Sequence, residues 1–111
     1  MREISLKENM PAVAEALSLL TRELVLARQR GDRIVKFIHG YGSTGTGGAI
    51  RIAVQARLVE MASSGEIKAC IFGEDWRKSD ARTWELLRAH PELKTDPHLG
   101  GKNPGITIVV L

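Results

Sequence analysis

One stretch, residues 35–62, constrains most strongly what this chain can fold into. An apolar run ends at His39, a loop with five glycines follows, and apolar residues then recur at helical spacing. A helix leaves its first backbone N–H groups unpaired and its amino end partly positive, and glycines let those groups approach an oxyanion closely. The stretch therefore predicts a strand–loop–helix unit that can hold a phosphate, without indicating which phosphate.

Strand patterns and helix patterns alternate along the rest of the chain. Such alternation predicts a single α/β domain over residues 1–111, with right-handed crossovers and a mostly parallel four-stranded sheet. The direction of the last strand stays open, because it follows a connection that contains a helix. The predicted elements are a short strand around Ile4 and Leu6, a helix at about 10–30 ended by Gly31, a strand at 34–38, a helix at about 47–63, a strand at 67–72, a shorter helix capped by Ser79 or Asp80, a loop at 91–104 and a strand at 105–111.

Composition sets broad limits on the class of protein. A length of 111 residues suits one domain with a real core, and the net charge of +3 permits a nucleic-acid partner without requiring one. The single cysteine, Cys70, excludes a disulfide framework or a cysteine zinc site within one chain. No apolar run approaches the roughly 18 residues of a membrane span, and the first residues do not read as a signal peptide. We therefore expect a cytoplasmic protein with no membrane partner.

Three motifs together resemble the Smr (small MutS-related) domain family over nearly the whole chain. They are His-Gly-Tyr-Gly at 39–42, the Ile50-Arg51 pair, and the strand Gly-Ile-Thr-Ile-Val that begins at Gly105. The family carries His-Gly-x-Gly before a Leu/Ile-Arg helix start and closes with a Gly-x-Thr-x-Val strand. The resemblance implies a two-layer fold like the C-terminal domain of translation initiation factor three. It also implies nucleic-acid binding and, in some members, nicking or cleavage of DNA or RNA.

Two departures from the family pattern bear on function. Smr domains usually open with a Leu-Asp-Leu-His-Gly-type strand, whose acid and histidine lie beside the His-Gly-x-Gly loop. Here Ser5 stands in place of the aspartate and Lys7 in place of the histidine. The glycine loop is also longer, and the segment 74–104 is enlarged. The resemblance therefore carries nucleic-acid binding over to this chain better than it carries cleavage.

His39 is the candidate catalytic residue. It follows a strand and precedes a helix amino end, whose positive dipole end favours the neutral imidazole. A neutral imidazole can act as a general base, contact a phosphate, or simply bond the loop backbone, and these three readings stay open. A metal route needs a cluster of carboxylates or histidines, for which Glu8, Glu74 and Asp75 are candidates by position only. We predict no metal and no cofactor.

The glycine loop and its flanks supply the candidate binding residues. The loop lacks the Gly-Lys-Ser/Thr ending of a P-loop, so NTP hydrolysis is disfavoured while phosphate cradling by backbone N–H groups remains. Arg51, in the first helical turn, is locally unfavourable beside the positive dipole end unless an anion lies between them. Lys7 can clamp a phosphate, and Tyr41 can stack on an unpaired base. The predicted phosphate- or nucleic-acid-binding residues are Lys7, Gly40, Tyr41, Gly42, Ser43, Thr44, Gly45, Gly47, Gly48 and Arg51.

Several other side chains receive a structural interpretation. Lys36, within a strand, is read as structural, and Trp84 as part of a helix core. The environment of Trp76 is left open. Gln55, like Arg51, is expected on the outward side of its helix.

Three hypotheses of function follow. The first is a nucleic-acid-binding Smr-like domain that docks phosphates on the glycine loop and the next helix. The second is an Smr-type endonuclease that uses His39. The third is a module on the same scaffold for a small phosphorylated ligand or for protein interaction. DNA or RNA, single or double strand, a protein partner and the oligomeric state all stay open.

Overall fold

A four-stranded sheet with helices packed on it organises the structure, a computed structural model that describes residues 1–9, 11–40 and 47–111. The α/β architecture and the element order agree with the sequence prediction. The 73–105 connection also contains two short 3₁₀ turns, Gly73–Asp75 and Pro91–Thr95. The strands are β1 (Arg2–Ser5), β2 (Ile34–Ile38), β3 (Ala69–Phe72) and β4 (Ile106–Val110), and the helices are α1 (Val13–Arg30), α2 (Gly47–Ser64) and α3 (Ala81–Ala89).

The strand order is β1-β2-β4-β3, so the last strand lies between the second and the third. β1 pairs in parallel with β2, whereas β4 is antiparallel to both of its neighbours. The prediction of a mostly parallel sheet is therefore wrong: the sheet is mixed. The physical reason is the 73–105 connection, which leaves β3 and re-enters β4 at the same end of the sheet. Phe37 and Phe72 both lie opposite Thr107.

One face of the sheet packs against α1 and α2. Successive strand residues point to opposite faces, and the residues directed to this face are apolar. The two helices meet them with apolar stripes at helical spacing, which bury the largest part of the core. The core on this face includes Val35, Phe37, Cys70 and Val109 from the strands, Leu20 and Leu24 from α1, and Ile50, Val54, Leu58 and Met61 from α2.

The opposite face is covered by the enlarged segment 73–104. Ile34, Ile71, Ile106 and Ile108 point to this side and pack with Trp76, Leu87 and Leu93. The expected arrangement had two layers, whereas the structure has three, because α3 and the 3₁₀ turns form a further layer on this face. Both faces of β2 and β4 are covered, which explains why these two strands are almost continuously hydrophobic.

The two tryptophans have environments that the sequence did not predict. Trp76 is fully buried in the second core, and its indole Nε1 donates to Asp96 Oδ2 at 2.9 Å. Trp84 is 45% exposed, so its assignment to a helix core is wrong. On α3 the buried positions are Thr83 and Leu87, and Trp84 lies next to that stripe rather than within it.

Helix ends follow local chemistry. Gly31 ends α1 in the left-handed region at φ 78°, and its N–H reaches the carbonyls of Ala27 and Arg28, as predicted for a C′ glycine. Asp80 caps α3 by accepting from the N–H of Thr83.

Among the described residues, no helix combines the length and apolar character that crossing a bilayer requires.

Candidate functional site

Lys7 and Gly40 meet at the carboxyl ends of β1 and β2. Ser5 pairs with Ile38 in parallel, and the Leu6 N–H donates to the Ile38 carbonyl at 2.8 Å, which extends the pairing past the strand. This places Lys7 beside the start of the glycine loop. A Cβ added at Gly40 would lie 3.7 Å from Cδ of Lys7. Two of the predicted binding residues are therefore neighbours in space.

Gly40 is held in a conformation that favours glycine. Its φ is 76°, in the left-handed region that a side chain makes costly. The N–H groups of His39 and Gly40 both donate to the Gly105 carbonyl, at 3.0 and 3.1 Å. The Gly105 N–H in turn donates to Asn103 Oδ1 at 2.8 Å. The loop motif and the terminal-strand motif of the sequence are thus bonded to each other directly.

His39 is buried, and both of its ring nitrogens have partners. Nδ1 lies 2.8 Å from the Gly40 carbonyl oxygen, and Nε2 lies 2.9 Å from Oγ1 of Thr107. A carbonyl oxygen can only accept, so Nδ1 carries the proton, and the Thr107 hydroxyl donates to Nε2 in the neutral ring. In this arrangement neither nitrogen is free to take a proton from a substrate.

The electrostatic surroundings keep His39 neutral. Burial lowers the pKa of His39 below its ordinary value, and the nearby Arg51 guanidinium lowers this pKa further. The bond to the Gly40 carbonyl and the charge of Glu74 oppose this shift only in part. Neutrality was expected from the helix dipole, but burial is the main cause. Arg51 and Glu74 also prove to be close enough to His39 to act on its charge.

Three polar groups lie buried around the first turns of α2. Nε of Arg51, Nε2 of Gln55 and Oε1 of Glu74 are buried and have no hydrogen-bond partner among the described residues. Gln55 was expected to face outward but is buried, at 8% exposure. The Arg51 and Gln55 nitrogens are donors and the Glu74 oxygen is an acceptor, and all three atoms are shielded from water.

The other predicted binding residues divide into two groups. Gly47 and Gly48 form the first positions of α2, where backbone N–H groups have no partner within the helix. The predictions for Tyr41, Gly42, Ser43, Thr44 and Gly45 lie outside the described residues.

A charged cluster on the second face of the sheet was not predicted. Nζ of Lys36, itself fully buried, lies 2.5 Å from Asp96 Oδ1, 2.8 Å from His98 Nδ1 and 3.2 Å from Glu3 Oε1. The ligand atoms of Glu3, Asp96 and His98 are within 4.8 Å of one another, a spacing that suits a metal ion. Here the ammonium group occupies the cation position. A lysine within a strand that is otherwise apolar was the available signal.

Comparison with known proteins bears on the fold. No protein-family model matches the sequence, and no curated protein sequence matches it. The chain is similar to the crystal structure of the Smr domain of Thermus thermophilus MutS2, with a TM-score of 0.61 and 22% sequence identity. The match covers 100% of this chain and 98% of that one. At this level of identity the likeness concerns the fold, so the chain has an Smr-like fold.

Proposed function

We propose that this chain is a divergent member of the Smr family that binds nucleic acid through phosphate contacts. The contacts lie at the carboxyl ends of β1 and β2 and at the amino end of α2. Binding is proposed in preference to cleavage, because the family's acid and histidine are Ser5 and Lys7 here.

The observation that carries the proposal is the place of Lys7, which follows β1 and lies beside Gly40 at the start of the glycine loop. Arg51, from α2, supports it as a second cation, near enough to His39 to lower the pKa of that residue. Arg51 stands in the first turns of α2, where its charge opposes the helix dipole. A bound phosphate relieves this conflict, because an anion attracts both the cation and the helix amino end.

In this proposal His39 positions the binding loop. Its side chain ties the Gly40 carbonyl to Thr107, and its N–H shares the Gly105 carbonyl with Gly40. These bonds set the direction in which the chain enters the loop. The imidazole therefore needs no contact with the ligand to affect binding.

An endonuclease that uses His39 is the second candidate. One observation favours it: burial keeps the imidazole neutral, which is the protonation state of a general base. For that role the Thr107 hydroxyl would have to turn away from Nε2. Cleavage that is lost in His39→Asn while binding is retained would support this candidate.

The test is a fluorescence-anisotropy titration of labelled single- and double-stranded DNA and RNA at low and high salt. Wild type is compared with Lys7→Ala and Arg51→Ala. The matched control is Arg33→Ala, which removes an exposed cation just before β2, at the opposite end of the sheet. Removing one phosphate contact should weaken binding about 3- to 10-fold and reduce the salt slope by about one.

Each outcome decides between the hypotheses. A loss of affinity in the Lys7 and Arg51 variants, with Arg33→Ala unchanged, supports the proposed surface. An equal loss in all three variants indicates diffuse charge attraction and contradicts it. No binding to any of the four probes removes both nucleic-acid hypotheses and leaves the module for a small phosphorylated ligand or a protein.

A further inference from the structure

The outer face of α2 carries an apolar stripe, with Glu60 and Ser63 as exposed polar residues at its carboxyl end. Ile52 is 63% exposed and Val59 is 46% exposed, and Ala49 and Ala56 are exposed beside them. Between residues 48 and 64, Glu60 is the one charged residue that is exposed. The opposite side of the same helix forms the core through Val54 and Leu58. A helix that is apolar on both sides is typical of an element buried on both sides.

We propose that a second copy of this chain covers this face, in a dimer formed by antiparallel packing of α2 against α2. The outer stripe is defined as Ala49, Ile52, Ala56 and Val59. Its spacings of three, four and three residues are those of the a and d positions of a coiled coil. Such a stripe stays on one side of a helix over several turns, so it suits a helix as its partner.

The stripe is complementary to itself when the two helices run in opposite directions. Ala49 then faces the partner's Val59, and Ile52 faces the partner's Ala56. Each layer combines one large and one small side chain, which fills space evenly. In a parallel pair, Ile52 would face its own copy and Ala56 would face its own copy, giving one crowded layer and one layer with a gap.

The chemistry of the face argues against other occupants. Nucleic acid and anionic lipid surfaces are recognised by lysine and arginine, whereas the four residues of the outer stripe are uncharged and the charged residue exposed beside them is Glu60. The candidate phosphate site lies at the amino end of α2, so an antiparallel pair keeps the two sites at opposite ends. The dimer is therefore independent of the nucleic-acid proposal, and either can fail alone.

The contact is small, so we expect a weak dimer. Four layers from one helix per subunit are well below a standard interface, and a dissociation constant of about 10–100 µM is expected. Sedimentation velocity over about 1 µM to 1 mM should show the mass shifting from monomer to dimer across that range. Ile52→Glu should abolish the shift, because it places a charge opposite the partner's Ala56.

Val25→Glu is the matched control, since Val25 is an exposed valine on α1. It should leave the dimer unchanged, and circular dichroism should show both variants folded. A protein that stays monomeric at the highest concentration overturns the proposal and leaves the face to a different protein. A dimer that is insensitive to Ile52→Glu overturns it as well, because the interface then lies elsewhere.

Cross-linking tests the orientation. We would prepare Ile52→Cys and Ala56→Cys as separate proteins and oxidise each alone and in a mixture. The antiparallel register brings position 52 of one subunit to position 56 of the other, so a covalent dimer should form efficiently only in the mixture. Efficient cross-linking of Ala56→Cys alone would indicate a parallel pair and contradict the proposal.

Discussion

The Thr107 hydroxyl lies 2.9 Å from Nε2 of His39, and this contact joins the last strand to the end of β2. Both side chains are buried, and they are 68 residues apart in the sequence. Because Nδ1 must donate to the Gly40 carbonyl, the Thr107 hydroxyl is the donor to Nε2. The Gly40 carbonyl thus fixes the tautomer of the histidine, and Thr107 joins the imidazole to the last strand.

Replacing Thr107 with valine should destabilise the fold. Valine keeps the shape but removes the hydroxyl, so Nε2 of His39 is left buried without a partner. We expect the free energy of unfolding to fall by about 1–3 kcal/mol, measured by urea denaturation. Thr107→Ser keeps the hydroxyl and loses a methyl group, so it measures the cost of lost packing separately. A valine variant as stable as wild type would show that the hydrogen bond contributes nothing.

Protonation of His39 should destabilise the folded state in mild acid. Burial lowers the pKa of His39 in the folded protein, so the unfolded chain binds this proton first as the pH falls. The contribution of His39 to stability is complete above the ordinary histidine pKa of about 6.5 and declines below it, by at most about 1.4 kcal/mol per pH unit.

The measurement is urea denaturation of wild type and His39→Asn between neutral and mildly acidic pH. The asparagine amide in this variant retains a donor toward the Gly40 carbonyl but does not titrate. The difference between the two proteins isolates His39 from His90 and His98, which are present in both. Parallel curves at all pH values would refute the link between burial and protonation.

The sequence predicted where helices and strands lie along the chain better than it predicted which strands pair in the sheet. Gly31 was identified as a helix end from its residue type alone, because a left-handed terminus favours glycine. The strand order, with β4 between β2 and β3, was not predicted, since pairing order depends on contacts between distant residues. The alternation of Ile106 and Ile108 with Thr107 and Val109 indicates two covered faces but does not indicate which strands lie alongside.

The structure shows where some of the predicted site residues lie, whereas their binding roles stay predictions. The family pattern placed Lys7 next to the loop, and the structure brings it beside Gly40. Thr107 was quoted as part of the terminal motif but was not recognised as the partner of His39. The outward placement of Gln55 was wrong, because helical periodicity ranks positions by angle from the core and does not show what packs on each flank of the helix.

Gly73 should tolerate no side chain. A Cβ at this position would lie 1.7 Å from the Asn103 carbonyl oxygen and 2.8 Å from Cγ1 of Ile106. The backbone of the 73–105 connection therefore has to move, and we expect Gly73→Ala to cost more than about 3 kcal/mol in thermal or urea unfolding.

Gly100→Ala is the matched control for Gly73→Ala. A Cβ at Gly100 meets nothing within 4 Å, but its φ is 79°, so only backbone strain of about 1 kcal/mol is expected. If both variants lose equal stability, the close approach of Gly73 to Asn103 is not the reason that glycine is needed.

The buried Lys36 ammonium group is the cation that neutralises Asp96. Burial by itself would raise the pKa of the Asp96 carboxyl, but the hydrogen bonds from Lys36 and Trp76 outweigh it and lower the pKa. The Asp96 carboxylate therefore depends on the Lys36 ammonium group to stay charged beside the core of the second face. Because that ion pair holds the 96–98 segment against β2, its removal should loosen the third layer.

Lys36→Met should lower the free energy of unfolding by about 3–5 kcal/mol at neutral pH, since it leaves a largely buried carboxylate without its cation. Asp96→Asn in the same protein should restore part of the loss, because the neutral amide needs no counter-charge. Glu3→Gln should cost under about 1 kcal/mol, since the Glu3 side chain is half-exposed and its ion pair is screened by water. Urea denaturation of the single and double variants measures the coupling between positions 36 and 96. Additive losses would mean that the 2.5 Å contact between Nζ and Oδ1 contributes no pairwise stability, and that Lys36 stabilises the protein through packing of its aliphatic chain.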